Sequence, residues 1–422
     1  MHVPEAVAEL VDRLEGAGFE TWTVGGAVRD ALRGKPRAQE DWDLATRATP
    51  QQVRRLFRRT VPLGMEYGTV GVFGKDGAVY EVTTFRHDVI TYGRKAVVAF
   101  ANSLEEDLAR RDFTINAIAY HPQRRERRDP HGGAHDLRNR ILRAVGDPAE
   151  RFREDYLRVL RGLRFAGALE LEIDPRTWSG MVEAVPGLVG LSMERVREEL
   201  LKVLGGPEPS RSLALYERSG ARAIILPQLE EGLGPEALAT IDRVRGRRVS
   251  GRRAELRLAL MLIFGIGERA DPAMSAEILG GLRFSNAEIE RIGAAASGGL
   301  GPPSHLVRDG TARRRWLARL GPRGARDVLR VWLAALRAGS SPAAGGDVRR
   351  VLAGARADMQ AGVPLTVAGL AVAGRDLLEE GWVPGPEIGR TLSRLLDAVW
   401  EDPALNDRAT LLRLAARERA AR

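Results

Sequence analysis

The sequence predicts an α+β chain: a head in which a mixed sheet and helices alternate, followed by helices almost throughout. Three observations predict it. Runs rich in β-branched and aromatic residues, Thr21–Val24 and residues 79–86, read as strands in the first third of the chain. From about residue 146 apolar residues recur three and four apart, as in Leu157, Leu160, Leu163 and Phe165 and again in Val196, Leu200 and Val203, which is the period of a helix face. At 422 residues the chain is long enough for two to four domains.

The head spans residues 1–145. Its strand Thr21–Val24 runs into Gly25-Gly26, and a helical segment opens with Ala27, Val28, Arg29 and Asp30. Glycine lets backbone amides come close to a phosphate, and a helix start supplies unpaired amides with partial positive charge. Arg29, on the first turn, offers a charged fork to the same phosphates. The next extended piece carries Asp41-Trp42-Asp43. Residues two apart on a strand share a face, so both carboxylates address the same divalent ions. Two ions held in this way clamp the attacking and leaving oxygens of a phosphoryl transfer. Asp-x-Asp or Gly-Gly alone is a frequent accident; their order along the chain is what gives them weight and reads as a nucleotidyl transferase.

Four stretches, in order, carry a resemblance: Val24-Gly25-Gly26-Ala27-Val28-Arg29-Asp30, Asp41-Trp42-Asp43-Leu44-Ala45-Thr46, Arg110-Arg111-Asp112-Phe113-Thr114-Ile115-Asn116-Ala117, and Glu154-Asp155-Tyr156-Leu157-Arg158-Val159-Leu160-Arg161. The chain resembles the class II tRNA nucleotidyltransferases, or CCA-adding enzymes, and their relatives the bacterial poly(A) polymerases. The resemblance implies a polymerase-beta-like nucleotidyltransferase head followed by an all-α neck, body and tail, with Mg²⁺ held by Asp41 and Asp43. It implies nucleotide contacts from Gly25, Gly26 and Arg29, and contacts to phosphates and ribose from Arg111, Asp112 and Asn116. That chemistry is sensible, since Arg111 pairs with phosphate and Asp112 and Asn116 suit ribose hydroxyls. The same three residues also read as a helix start, capped by Asp112 with Ile115, Ala117 and Ile118 packed inward. Glu81, on the strand 79–86, is either a third catalytic acid beside the metals or an ordinary edge carboxylate.

The neck, residues 146–204, begins with Asp155 and Arg158, three apart and therefore neighbours on a helix. Cytosine and adenine each expose an amino group beside a ring acceptor, which an Asp and an Arg complement; uracil and guanine put a carbonyl in place of the amino group. In the family such a pair serves as a protein template, a role carried here to Asp155 and Arg158. Arg161 and Arg164 continue the spacing, but each three-residue step falls about 60° short of a full turn. They spiral away from Asp155, toward triphosphate or RNA backbone.

Residues 205–300 form the expected body, where many family members carry a metal-dependent His-Asp phosphohydrolase module. This chain has Phe264-Gly265 at about the place of the His-Asp pair, and no histidine between His135 and His305, so the region reads as a degenerate module kept as scaffold. In the tail, residues 301–422, Pro384-Gly385-Pro386 marks a helix start. Arg313-Arg314-Arg315, Arg349-Arg350 and the last arginines face either tRNA or solvent. Two head segments complete the reading. Residues 86–100, with Tyr92-Gly93-Arg94-Lys95, resemble the family's flexible loop, and residues 129–137 read as a turn-rich connector in preference to a metal site on His131 and His135.

Charge agrees with a polyanionic partner: 65 Lys+Arg against 56 Asp+Glu give a formal +9, nearly all of it arginine because lysine stands only at positions 35, 75, 95 and 202. The absence of cysteine excludes disulfides and cysteine metal sites. The first ten residues lack the basic head and apolar run of a signal peptide, and no apolar stretch is long enough to span a bilayer, which points to the cytoplasm. The expected activity is transfer of CMP and AMP from CTP and ATP to the 3′ end of tRNA. The alternatives are a CC-only or A-only enzyme, a poly(A) polymerase of the same fold, or a non-catalytic RNA-binding protein.

Overall fold

The computed structural model describes residues 1–34, 42–92, 95–101, 103–229, 231–245, 251–267 and 270–420, and for 87–100 the backbone only. The described chain packs as two units, Met1–Pro227 and Gln228–Arg422.

The first unit is built on a mixed seven-stranded sheet. Its strands are β1 (Thr21–Val24), β2 (Asp43–Thr46), β3 (Thr60–Pro62), β4 (Thr69–Phe73), β5 (Val79–Thr84), β8 (Ala119–His121) and β9 (Glu126–Arg128), in the spatial order β3-β4-β5-β2-β1-β8-β9. Only β2 and β5 run parallel. Side chains alternate across a strand. Leu44 and Val82 therefore join helices α1 (Glu5–Gly16), α2 (Gly26–Leu32) and α3 (Pro50–Leu56) in one core, with Leu10, Val28 and Val53. Trp22, Val24 and Ala45 turn to the other face and pack with Leu104 and Leu108 of α4 (Leu104–Ala109). β1 is central and buried along its whole length.

Two expectations for the head are corrected. The segment 86–100, expected as a flexible loop, contains an antiparallel pair, β6 (Arg86–Tyr92) with β7 (Lys95–Phe100), bulged between Asp88 and Ile90. Val89, Ile90, Thr91 and Tyr92 on one arm and Val97, Val98 and Phe100 on the other are β-formers, and Gly93 and Arg94 lie outside the described residues. The connector at 129–137 closes into helix α5 (Gly133–Arg138), because the Asp129 carboxylate accepts the Gly133 and Ala134 N–H groups at 2.7 and 2.9 Å. On it, His135 hydrogen-bonds Asn139 at 2.7 Å.

A short parallel pair, β10 (Ile141–Leu142) and β11 (Glu172–Ile173), and helices α6 (Pro148–Glu154), α7 (Leu157–Leu169), α8 (Pro175–Ala184), α9 (Met193–Gly205), α10 (Pro209–Ser219) and α11 (Ala221–Ile225) complete the unit. The expected boundary at 204/205 is not a break in packing. α10 lies against α7 so closely that a Cβ on Gly167 would fall 2.2 Å from Ser212 Oγ, and Tyr216 O–H reaches the Leu160 carbonyl at 3.4 Å.

The second unit is helical: α12 (Pro235–Asp242), α13 (Arg252–Ile266), α14 (Pro272–Gly281), α15 (Asn286–Ser297), α16 (Ser304–Arg308), α17 (Gly310–Ala338), α18 (Gly345–Gln360), α19 (Gly374–Glu379), α20 (Pro386–Glu401) and α21 (Arg408–Ala420). Pro386 starts α20 as the sequence indicated. The expected break at 300/301 is bridged, with Trp332 Nε1 donating to the Gly298 carbonyl at 2.9 Å and stacking on Trp316. Of the arginine runs, Arg313 and Arg314 are taken up in packing, whereas Arg315 and Arg350 stay exposed. Arg313 and Arg314 share Asp358 at 3.0 Å each, and Arg315 meets Asp397 at 3.2 Å. Among the described residues no helix is long and apolar enough to cross a membrane.

Candidate active site

The β1/β2 register pairs Val24 with Asp43, which sets the Asp43 carboxylate beside the turn that follows Val24. At that turn Gly25 takes φ 74°, ψ −136°, a conformation reserved for glycine. A Cβ there would sit 3.2 Å from an Arg111 Nη and 3.6 Å from Asp43 Oδ2. The missing side chain is what leaves the acid and the arginine open to one space. That space is a cleft of about 870 Å³ within the first unit, lined by nine basic side chains against three acids, Asp43, Asp112 and Asp155. Such a size suits a nucleotide, since ligand cavities run from roughly 300 to 1,000 Å³.

Arg111 is aimed by Asp107. This fully buried carboxylate on α4 takes Arg110 at 2.9 Å and Arg111 at 3.0 Å. Burial alone would raise its pKa, but the two guanidinium groups hold it below the ordinary value. Asp112 is nearly buried as well. Its Oδ1 accepts the Phe113 N–H and the Asn116 amide at 2.9 and 3.0 Å, and its Oδ2 accepts Arg161 at 2.8 Å. Burial opposes its ionisation, yet the Arg161 charge and these hydrogen bonds win and keep it below the usual carboxylate range, while Asp112 in turn raises Arg161. The expected helix start here is only a 3₁₀ turn, Thr114–Asn116, with Ile115, Ala117 and Ile118 buried beneath it.

Arg29 differs from its expectation as an open fork. It is buried, spends Nε and one Nη on Asp30 at 2.8 and 3.0 Å, and donates from its other Nη to the Asn116 side-chain Oδ1 at 2.7 Å. It borders the cleft while fixing Asn116.

Asp155 and Arg158 are also corrected. α6 ends at Glu154 and α7 begins at Leu157, so Asp155 is extended between two helices. The physical reason is a local side-chain turn: Asp155 Oδ1 accepts the Leu157 N–H two residues on at 3.1 Å, an alternative to continuing the helix. Its Oδ2 pairs with Arg195 of α9 at 2.7 Å. Arg158 pairs instead with Glu154 and donates to the carbonyls of Arg151 and Arg110. Both still line the cleft, and so do Arg161 and Arg164. Arg164 is held by the buried Glu199 at 2.6 Å; burial pushes that carboxyl up, but Arg164 and Lys202 outweigh it and hold it low.

The structure brings Gly25, Gly26, Arg29, Asp43, Arg111, Asp112, Asn116, Asp155, Arg158, Arg161 and Arg164 to this one cleft. Asp41 lies outside the described residues. Glu81 stands on β5, one step before the Leu44/Val82 pair; it is exposed and does not line the cleft. Among the described residues no three acidic or imidazole side chains form a metal cage. Asp43 fits a hard divalent cation, because its carboxylate opens onto the space the missing Gly25 Cβ leaves. Sequence reading missed Asp107, Arg110, Phe165, Arg195 and Glu199. Asp107 had a local signature, three and four residues before Arg110 and Arg111, and so had Glu199, four after Arg195 and three before Lys202.

A family model described as the poly A polymerase head domain matches residues 21–143, and one described as the probable RNA and SrmB-binding site of polymerase A matches 170–233. These set the class, a nucleotidyltransferase head joined to an RNA-binding region. The CCA-adding enzyme of Streptococcus suis is 45% identical over 219 residues, 51% of each chain. That of Geobacillus stearothermophilus is 43% identical over 218 residues, 51% of this chain and 53% of the other. The chain thus spans about half the length of the curated relatives it matches. Over its full length it superposes on the crystal structure of the Bacillus stearothermophilus CCA-adding enzyme in complex with CTP, with TM-score 0.78, 32% identity, and 99% and 98% of the two chains covered. The fold also matches the Thermotoga maritima CCA-adding enzyme complexed with tRNA, TM-score 0.63 at 19% identity over 97% and 94%. The chain belongs to the CCA-adding enzyme family.

Proposed function

We infer that this chain transfers CMP and AMP from CTP and ATP to the 3′ end of tRNA without a nucleic-acid template, rebuilding the CCA end. The observation that carries the reading is the cleft itself, where nine basic side chains surround one glycine turn and the Asp43 carboxylate. The family's chemistry depends on a divalent metal ion. Asp41 and Asp43 would hold Mg²⁺, which when bound activates the terminal ribose hydroxyl and neutralises the charge on the phosphates. Gly25 and Gly26 admit the triphosphate against the backbone, and Arg111, held straight by Asp107, pairs with its oxygens. Asp112 and Asn116 orient the ribose. Asp155 accepts the amino hydrogens of C or A while Arg158 donates to the ring acceptors. Within the two units, the head and neck labels belong to residues 1–145 and 146–204, and the body, a decayed phosphohydrolase scaffold, and the tRNA-binding tail to 205–300 and 301–422. Glu81, an exposed carboxylate on the interior strand β5 between β4 and β2, is left out of the transfer, and the protein works in the cytoplasm with its tRNA.

Incubation with tRNAs ending before C, after CC and after CCA, with CTP and ATP separately and together, tests the reading. Addition of two C then one A, stopping at CCA, is expected. Arrest at CC, addition of A alone, or ATP-only extension of all three substrates would replace it with one of the narrower activities. Asp43→Ala should abolish both transfers with tRNA binding retained, because charge stabilisation of the transfer is lost and phosphate contacts are not.

A further inference from the structure

We propose that Phe165 is a positioning residue of the nucleotide cleft, its ring holding the guanidinium groups of Arg29, Arg161 and Arg164 in one convergent array. The proposal rests on the reading of the cleft as the CTP and ATP site. The three guanidinium carbons lie 5.2, 5.3 and 4.2 Å from the Phe165 ring centroid. They come from two helices, and each is tied to a different carboxylate: Arg29 to Asp30 at 2.8 Å, Arg161 to Asp112 at 2.8 Å, Arg164 to Glu199 at 2.6 Å. Phe165 is the one side chain common to the three pairs.

Three like charges drawn to one spot repel, and the ion pairs alone do not keep them together. The negative face of an aromatic ring attracts a cation without using any of its N–H donors. The guanidinium donors therefore stay with the carboxylates and the cleft while the ring fixes their planes. Phe165 is itself locked, 7% exposed and edge-to-face with Phe113 at 6.0 Å, the residue next to Asp112. A leucine here would fill much of the volume but offer no ring quadrupole. Ring and cations thus set the ribose side in one register, through Arg29, which holds Asn116, and through Arg161, which holds Asp112. Base choice rests on Asp155 and Arg158, which belong to ion pairs of their own with Arg195 and Glu154.

Near-isosteric replacement tests this. With mono-, di- and trifluorophenylalanine at position 165, which drain the ring face of negative potential with little change in volume, KM for CTP and ATP should climb stepwise to about tenfold. The preference for CTP over UTP and the melting temperature should hold, with kcat changed by less than about twofold. Phe165→Tyr should behave as wild type and Phe165→Leu as the trifluoro form. Active wild-type enzyme with a flat fluorine series, or a Tyr variant as impaired as the Leu variant, overturns the proposal alone. Wild-type enzyme that transfers neither CMP nor AMP overturns the reading of the cleft, and the proposal falls with it.

Discussion

Arg195 donates to Asp155 Oδ2 at 2.7 Å, across forty residues of sequence. The carboxylate assigned to the base edge is therefore clamped at both oxygens, since the Leu157 N–H takes the other. A clamped acceptor discriminates better than a mobile one, because it cannot turn to meet a wrong base.

Asp155→Ala should weaken discrimination against UTP more than it slows transfer itself, by about ten- to hundredfold in relative kcat/KM, the worth of one or two buried contacts of 1 to 3 kcal/mol. Arg195→Ala should do the same to a smaller degree, about tenfold, by freeing Asp155. The comparison is CTP against UTP on one tRNA lacking its terminus. Unchanged preference in Asp155→Ala and in Arg158→Ala would move base selection elsewhere.

Gly25→Ala should lower activity on the order of a hundredfold, the scale of an ångström misplacement in a catalytic site. The new Cβ meets Arg111 at 3.2 Å, and the backbone at φ 74° costs an alanine of order 1–3 kcal/mol. Steady-state rates together with a melting curve separate the two losses; wild-type rates would mean that the turn does not border the reacting phosphates.

The pairs around Asp107 and Asp112 predict a pH signature. Both carboxyls titrate below their unfolded value of 3.8 in the folded protein. The stability they contribute is complete above that value and disappears as the pH falls through their native pKa values, below 3.8. Asp112→Asn should thus be less stable than wild type by about 2 kcal/mol across neutral pH, with the gap narrowing only in strong acid. Urea unfolding over a pH series reads this directly, and a gap that widened on acidification would contradict it.

The body should lack phosphohydrolase activity. With no histidine between His135 and His305, the chain should release no phosphate from 2′,3′-cyclic nucleotides, even with Ni²⁺ or Mn²⁺. Metal-dependent hydrolysis that survives Asp41→Ala would show that a hydrolytic site persists.

By itself the sequence determined whatever depends on neighbours along the chain. The order strand, Gly25-Gly26, helix, acid is local, and so are the apolar stripe of α7 and the start of α20 at Pro386. The excess of arginine agreed with a polyanionic partner. Only the tertiary structure decided which partners those residues meet. Helix period fixes the face a residue occupies, not what lies opposite, so nothing local said that Asp155 would break the helix and take Arg195, that Arg158 would take Glu154, or that Arg29 would be buried on Asp30 and Asn116. The seams drawn at 204/205 and 300/301 are crossed by contacts for the same reason. Composition shifts there, yet Gly167 against Ser212 and Trp332 against Gly298 close the packing across them. Periodicity is a property of one segment, whereas a site is a set of contacts between segments, and those exist only once the sheet register and the helix packing have been chosen.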